Sequence, residues 1–101
     1  MLVVMTTTSS LGQAGDLAEK IVASKLAACV QILSPMTAVY VWEGKMQKER
    51  EHLLLIKTLE ENYDDLAVLI TATHSYDIPE IVAISAEKVS GPYLEWMRQS
   101  L

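Results

Sequence analysis

At 101 residues the chain has the length of one domain, and no linker, repeat or low-complexity tract divides residues 1–101. A formal net charge of −5 and a pI near 4.9 argue against a nucleic-acid-binding protein, since there is no basic stripe to neutralise phosphates. No stretch approaches the roughly 20 apolar residues of a membrane span. The single cysteine excludes an internal disulfide, and we expect a cytoplasmic protein.

The apolar content is high for a small monomer. Half of the residues (50%) are apolar, and the mean hydropathy is +0.22. A domain of this size has a small core, so surplus apolar surface is usually covered by other subunits. The composition therefore predicts self-association.

The first two predicted elements are a strand and a helix. Residues Leu2 to Thr8 are apolar and β-branched, which favours a buried strand. Ser10 and Gln13 are spaced as in a capping box, so we expect a helix that ends near Ala27. Its core face carries apolar residues at helical spacing: Ala14, Leu17, Ala18, Ile21 and Val22.

A long β-hairpin follows. The residues from Cys29 to Trp42 predict extended backbone. Ser34-Pro35 interrupts this stretch, and a proline there predicts an edge strand or a β-bulge. Glu43-Gly44-Lys45 predicts the turn, and the chain returns through residues 46–58. The hairpin is longer than the core needs, so we expect its tip to project.

The returning strand is apolar on both sides. Leu53 and Leu55 point to one side, and Leu54 and Ile56 point to the other. We therefore expect both sides to be buried, one by helices and the other by further copies of the chain.

A second capping box is predicted at Thr58 and Glu61, before a helix with Tyr63, Leu66, Ala67 and Ile70 on its core face. The acidic residues that open this helix suit its N-terminal dipole better than a metal site: Glu60, Glu61, Asp64 and Asp65.

The remaining elements complete the fold. Ile81 to Val89 predicts a final strand, and Ser90-Gly91-Pro92 starts a short C-terminal helix. The order β-α-β-β-α-β is that of an α+β, ferredoxin-like domain, an antiparallel sheet with helices on one face.

The segment between the second helix and the last strand has the strongest chemical signal. His74, Tyr76 and Glu80 bring an imidazole, a phenol and a carboxylate close together, and Pro79 restricts Ile78 to extended conformations. This pattern predicts a bent entry into a strand that presents polar groups. The alternative is structural: a helix cap, a satisfied core tyrosine and a solvated carboxylate.

Five motifs together resemble the CutA family of divalent-cation tolerance proteins, in the right order and over nearly the whole chain. They are Leu26-Ala27-Ala28-Cys29-Val30, Tyr40-Val41-Trp42-Glu43-Gly44-Lys45, Glu51 with Leu54-Leu55-Ile56-Lys57-Thr58, His74-x-Tyr76-x-x-Pro79-Glu80-Ile81 and Tyr93-Leu94-x-Trp96. Two departures are Gln31 in place of a common asparagine and Ser75 in place of a common proline. The second departure loosens the bend before Tyr76.

The resemblance implies a ferredoxin-like homotrimer, built like the PII signalling proteins and linked to tolerance of copper and other divalent ions. As metal ligands, we single out Cys29, His74 and Glu80, since thiolate and imidazole suit copper or zinc. No two of them have chelate spacing, so the fold would have to bring them together, across a subunit boundary if necessary. Cys29 could instead be a small buried apolar residue. His52 is expected to be an exposed strand residue and a weaker candidate.

A second hypothesis is a PII-like sensor or scaffold that binds a small ligand or partner protein in clefts between subunits. We expect that cleft to be built from Lys57, Tyr76, Tyr93, Trp96 and Trp42. Lys57 closes an apolar strand, and Glu80 is the nearest motif carboxylate that could pair with it. No nucleophile with a sequence-local base and no phosphate loop is present, so we do not expect an enzyme or an organic cofactor. Our first expectation is a homotrimer that binds divalent ions, Cu2+ first.

Overall fold

The computed structural model describes all residues, 1–101, and has α+β architecture. A short 3₁₀ helix, Glu60–Asn62, precedes the second α-helix. The other elements are β1 (Leu2–Thr8), α1 (Leu11–Ala23), β2 (Cys29–Ile32), β3 (Met36–Trp42), β4 (Lys45–Thr58), α2 (Tyr63–Thr73), β5 (Val82–Ser85) and α3 (Gly91–Gln99). None of the helices is both long enough and apolar enough to cross a membrane.

All strand pairs are antiparallel. The main sheet has the order β2-β4-β1-β5, and β3 pairs with the outer part of β4. Two centrally placed pairs fix the register of β1 on β4, Val4 with Ile56 and Thr6 with Leu54. Strand β4 therefore belongs to the domain body at one end and to the hairpin at the other.

Helices α1 and α2 cover one face of the sheet. Alternate residues of β1 and β4 point into this core, and Val4, Leu54 and Ile56 are fully buried. The helix residues that meet them are Ala14, Leu17 and Ile21 of α1 with Leu66 and Ile70 of α2. Val22, which we expected on the core face of α1, is 44% exposed.

The opposite face of the sheet, called here the open face, carries the other set of alternate residues. It consists of Val3 and Met5 of β1, Cys29 and Gln31 of β2, Leu53, Leu55 and Lys57 of β4, and Val82 and Ile84 of β5. Val82 is 45% and Ile84 is 52% exposed, and Leu53 and Leu55 are only half-buried. Within one chain, only one of the two apolar sides of β4 is therefore fully buried.

The β3–β4 hairpin projects from the domain as predicted. Its two-residue turn has Glu43 at φ 50° and Gly44 at φ 77°, the pair of positive φ angles typical of a type I′ hairpin. The molecule measures 45 × 25 × 23 Å, and the apolar residues near the hairpin tip are exposed.

The N-cap half of the first capping box is confirmed, since Ser10 Oγ accepts a hydrogen bond from the Gln13 N–H at 3.1 Å. The Gln13 side chain accepts from the Ser9 hydroxyl at 2.9 Å instead of completing the box. The expected end of α1 near Ala27 is wrong, because the helix ends at Ala23. Lys25 adopts a left-handed conformation with φ 58°, and the Leu26 N–H donates back to the Ile21 carbonyl. This reversal terminates the helix and lets Ala27 enter the core.

Three further expectations are corrected. Thr58 is not a helix cap, because it ends β4 and its hydroxyl donates to the Leu26 carbonyl at 2.6 Å. His52 is not exposed but 7% accessible, with Nδ1 3.3 Å from the Leu33 carbonyl oxygen. The last strand is shorter than Ile81 to Val89, because its partner β1 begins at Leu2, opposite Ser85.

Candidate functional site

A cleft of about 530 Å³ lies between the β3–β4 hairpin and the segment that joins α2 to β5. That segment, residues 74–81, is the polar bend that the sequence singled out. Ten residues line the cleft: Thr7, Ala38, Val39, Tyr40, Trp42, Glu51, Tyr76, Asp77, Ile78 and Glu80. The volume is in the range of small-molecule sites in proteins.

Glu51 lies at the junction of the sheet and the hairpin. It is the last residue of β4 that pairs with β3, opposite Met36, and its neighbour His52 pairs with Thr8 at the end of β1. The side chain is only 7% exposed. Its Oε2 accepts hydrogen bonds from the Tyr76 hydroxyl at 3.0 Å and from the Thr7 hydroxyl at 3.2 Å. Glu51 therefore links the sheet, the hairpin and the 74–81 segment.

His74 fixes the start of the 74–81 segment. Its Nε2 lies 2.5 Å from the Thr7 carbonyl oxygen, and its Nδ1 accepts a hydrogen bond from the Tyr76 N–H at 3.0 Å. This network assigns a neutral ring with the proton on Nε2. The ring also packs against Tyr76, with centroids 4.8 Å apart. Both nitrogens are thus engaged within the chain, so His74 positions Tyr76 in this conformation.

The phenol of Tyr76 is held in its neutral form. Burial, followed by the hydrogen bond and the charge of Glu51, raises the pKa of Tyr76 to about 12. The pKa of Tyr40 is also raised, by burial and by the charges of Glu49 and Glu51. The hydroxyl of Tyr76 therefore acts as a donor to Glu51 at neutral pH.

The three expected metal ligands do not come together within one chain. Cys29 lies opposite Lys57, which lies opposite Val3, whereas His74 contacts Thr7. Val3 and Thr7 are four residues apart on β1, a rise of roughly 13 Å. Glu80 lines the cleft near Thr7. No group of three or more His, Cys, Asp or Glu side chains in the chain is arranged to hold a metal ion.

The expected cleft residues divide into two groups. Tyr76 and Trp42 line the cleft. Lys57 lies at the other end of the sheet on the open face, away from Glu80. Tyr93 and Trp96 lie together on α3, with ring centroids 5.5 Å apart, and Trp96 is 46% exposed. One chain therefore forms a cleft with part of the expected aromatic set.

Residue types alone do not mark Glu51, Thr7, Tyr40 or Asp77 as site residues. Glu51 stands in the sequence only as part of a strand motif. The available signal is a carboxylate two residues before the most apolar part of β4, Leu53 to Ile56. Thr7 is 44 residues away in sequence, so only the strand register brings its hydroxyl to Glu51.

Comparison with known proteins gives one family for the chain. The model of the CutA1 divalent ion tolerance protein family matches residues 2–100. The chain is 41% identical to Protein CutA, chloroplastic, of Arabidopsis thaliana over 99 residues, which cover 98% of this chain and 54% of that protein. It is 37% identical to the divalent-cation tolerance protein CutA of Thermus thermophilus, covering 97% and 95%. It thus spans about half of the plant relative and nearly all of the bacterial one.

Solved structures give the same result. The fold matches the divalent cation tolerance protein Cut A1 of Thermus thermophilus with a TM-score of 0.95 at 37% identity, over 99% of this chain and 98% of that one. CutA1 of Oryza sativa also matches with a TM-score of 0.95, at 41% identity, over 98% and 91%. The likeness extends over the whole domain, including the projecting hairpin.

Proposed function

The chain belongs to the CutA1 divalent ion tolerance family, and we propose that it contributes to cation tolerance by binding divalent ions, copper first, as a cytoplasmic homotrimer. We assign it a ferredoxin-like fold, which the strand order β2-β4-β1-β5 supports. In this proposal the protein acts by binding and not by catalysis.

The observation that carries the assembly is the open face. Val3, Met5, Leu53 and Leu55 form a continuous apolar row with Ile84, on the face opposite to the one that α1 and α2 cover. Exposed apolar patches of this kind mark interaction surfaces. Burying them would stabilise an assembly by roughly 25 cal/mol per Å² of apolar area. Further copies of the same chain fit a surface that every copy carries.

The same face supports the metal proposal. Cys29 has a free, half-buried thiol on the open face, next to Lys57. Because its own His74 and Glu80 are distant, the proposed site is completed across a subunit boundary. A thiolate with a nitrogen or oxygen ligand from a neighbouring copy is a donor set that suits copper or zinc.

Native mass spectrometry tests the metal proposal. The untagged protein is measured before and after one equivalent of Cu(II) per chain, with excess glycine as competitor. We expect a trimer that retains copper at fixed stoichiometry, and Cys29→Ser or Glu80→Gln to lower the copper affinity by about tenfold or more with the trimer intact. Glu61→Gln, on the exposed start of the 3₁₀ helix, is the matched control. Unchanged affinity in both ligand variants would contradict the proposed ligands.

A second candidate function is a PII-like trimeric sensor or scaffold with a ligand in each cleft. The cleft at Glu51 favours it, because a polar network and aromatic side chains line about 530 Å³ of space. A ligand that binds there stabilises the native state by mass action. Thermal unfolding in the presence of candidate small molecules is the test, with Glu51→Gln as the variant that should lose the stabilisation.

A further inference from the structure

All charged side chains that line the cleft are acidic. Glu51, Asp77 and Glu80 contribute three carboxylates, and none of the ten lining residues is basic. Asp77 and Glu80 are exposed, whereas Glu51 is buried, with only 7% of its surface accessible. A buried carboxylate without a cationic partner is costly, and a bound cation would supply the missing charge.

One oxygen of Glu51 is available to a ligand. Both hydrogen bonds from Tyr76 and Thr7 go to Oε2, and Oε1 accepts none from the protein. Thr6 Oγ1 is the only side-chain polar atom that is both enclosed and without a partner, so Oε1 is not sealed within the protein. Because Glu51 lines the cleft and its Oε2 already accepts two hydrogen bonds, Oε1 is the oxygen left for a ligand there.

The walls of the cleft are those of a site for an organic molecule. Tyr40, Trp42 and Tyr76 offer aromatic rings, and Ala38, Val39 and Ile78 add apolar surface. Aromatic faces attract organic cations through their quadrupoles. A bare divalent ion would need converging ligands, and the carboxylates here do not form a group of three that could hold one.

We propose that this cleft binds a small organic cation, an ammonium or guanidinium group on an apolar or aromatic body. The cationic group donates to Glu51 Oε1 and lies near Asp77 and Glu80, while the body packs between Trp42, Tyr40 and Ile78. The proposal deepens the second candidate function, and rests on it, by naming the ligand class of the cleft.

Isothermal titration calorimetry with three matched probes tests the charge requirement. Benzylammonium, benzyl alcohol and benzoate share one ring and differ in charge. We expect benzylammonium to bind one per chain, and the alcohol and benzoate to bind at least about tenfold more weakly. Equal binding of all three, or tighter binding of benzoate, would overturn the charge assignment.

Glu51→Gln keeps the shape of the side chain and an amide oxygen for Tyr76 and Thr7, but removes the charge. We expect this variant to bind benzylammonium about tenfold more weakly or worse, with its melting temperature and subunit number near those of the wild type. Glu61→Gln removes the same charge outside the cleft and should leave binding unchanged. Equal losses in both variants, or no loss in Glu51→Gln, would refute the assigned role of Glu51.

The same samples separate this inference from the proposals on which it rests. If the cleft binds the neutral or anionic probe instead, the sensor function stands and the cation assignment fails. If no probe binds while the trimer still retains copper, the cleft proposal fails and the metal-binding function stands.

Discussion

The two faces of the sheet are built from alternate residues of the same strands, yet they differ in how they are covered. On the helix side, Val4, Leu54 and Ile56 are fully buried. On the open face, Leu53 and Leu55 are half-buried and Ile84 is 52% exposed. Both faces are apolar, so the difference lies in what packs on them. The chain completes one core by itself and leaves the open face partly uncovered, where we propose that other copies of the chain pack.

The largest expected loss of stability comes from a charge introduced on the face of the sheet that α1 and α2 cover. Leu54→Asp places a carboxylate at a fully buried position between the sheet and the helices. We expect a loss of at least about 4 kcal/mol in the free energy of unfolding, enough to leave much of the chain unfolded. Far-UV circular dichroism and urea unfolding measure this, and a folded, stable variant would contradict the core assignment.

Leu55, the neighbour of Leu54 in sequence, lies on the other side of the sheet. Leu55→Asp places the same charge on the open face, where the monomer leaves the side chain half-buried. We expect this variant to keep its secondary structure but to dissociate into single chains. Sedimentation velocity measures the mass, and a Leu55→Asp protein that remains as oligomeric as the wild type would show that this row is not the interface.

A smaller effect is expected at the cleft, where Thr7 and Glu51 continue the open face toward the hairpin. Tyr76→Phe removes the hydroxyl that donates to the buried Glu51 carboxylate at 3.0 Å. We expect a loss of about 1–2 kcal/mol in the free energy of unfolding, with assembly unchanged. Tyr93→Phe on α3 is a matched control outside this network. Equal stability of Tyr76→Phe and the wild type would mean that the hydrogen bond contributes nothing.

The pH dependence of that hydrogen bond gives the smallest expected effect. The pKa of Tyr76 is raised from 10.0 to about 12, so the native state holds the phenolic proton more tightly than the unfolded state does. The stabilisation is complete below pH 10 and is lost as the pH rises from 10 to 12. We expect the stability difference between wild type and Tyr76→Phe to shrink over that range. Urea unfolding at a series of pH values tests this, and a constant difference would contradict the shifted pKa.

The sequence predicted well those elements whose signals are local. The Ser10 cap, the glycine turn at Gly44 and the helical spacing of Leu66 and Ile70 each depend on residues a few positions apart. The errors arose where a distant segment decided the outcome. The hydroxyl of Thr58 is used by the Leu26 carbonyl, and His52 is buried beside the Leu33 carbonyl, so neither follows the local pattern.

The cleft could be predicted only in part, for the same reason. The 74–81 segment stood out because its polar groups are adjacent in sequence. Its main partner, Glu51, meets Tyr76 across 25 residues and Thr7 across 44 residues of chain. Those contacts depend on strand register, which the residue types alone do not specify.

The mass of the unmodified protein in solution, measured by sedimentation equilibrium over a wide concentration range, tests the proposed role of the open face. We expect an assembly of three 11.2 kDa chains in which other copies of the chain cover that face. A stable single chain at all concentrations, with the open face exposed to water, would contradict the claim that the assembly completes the second core.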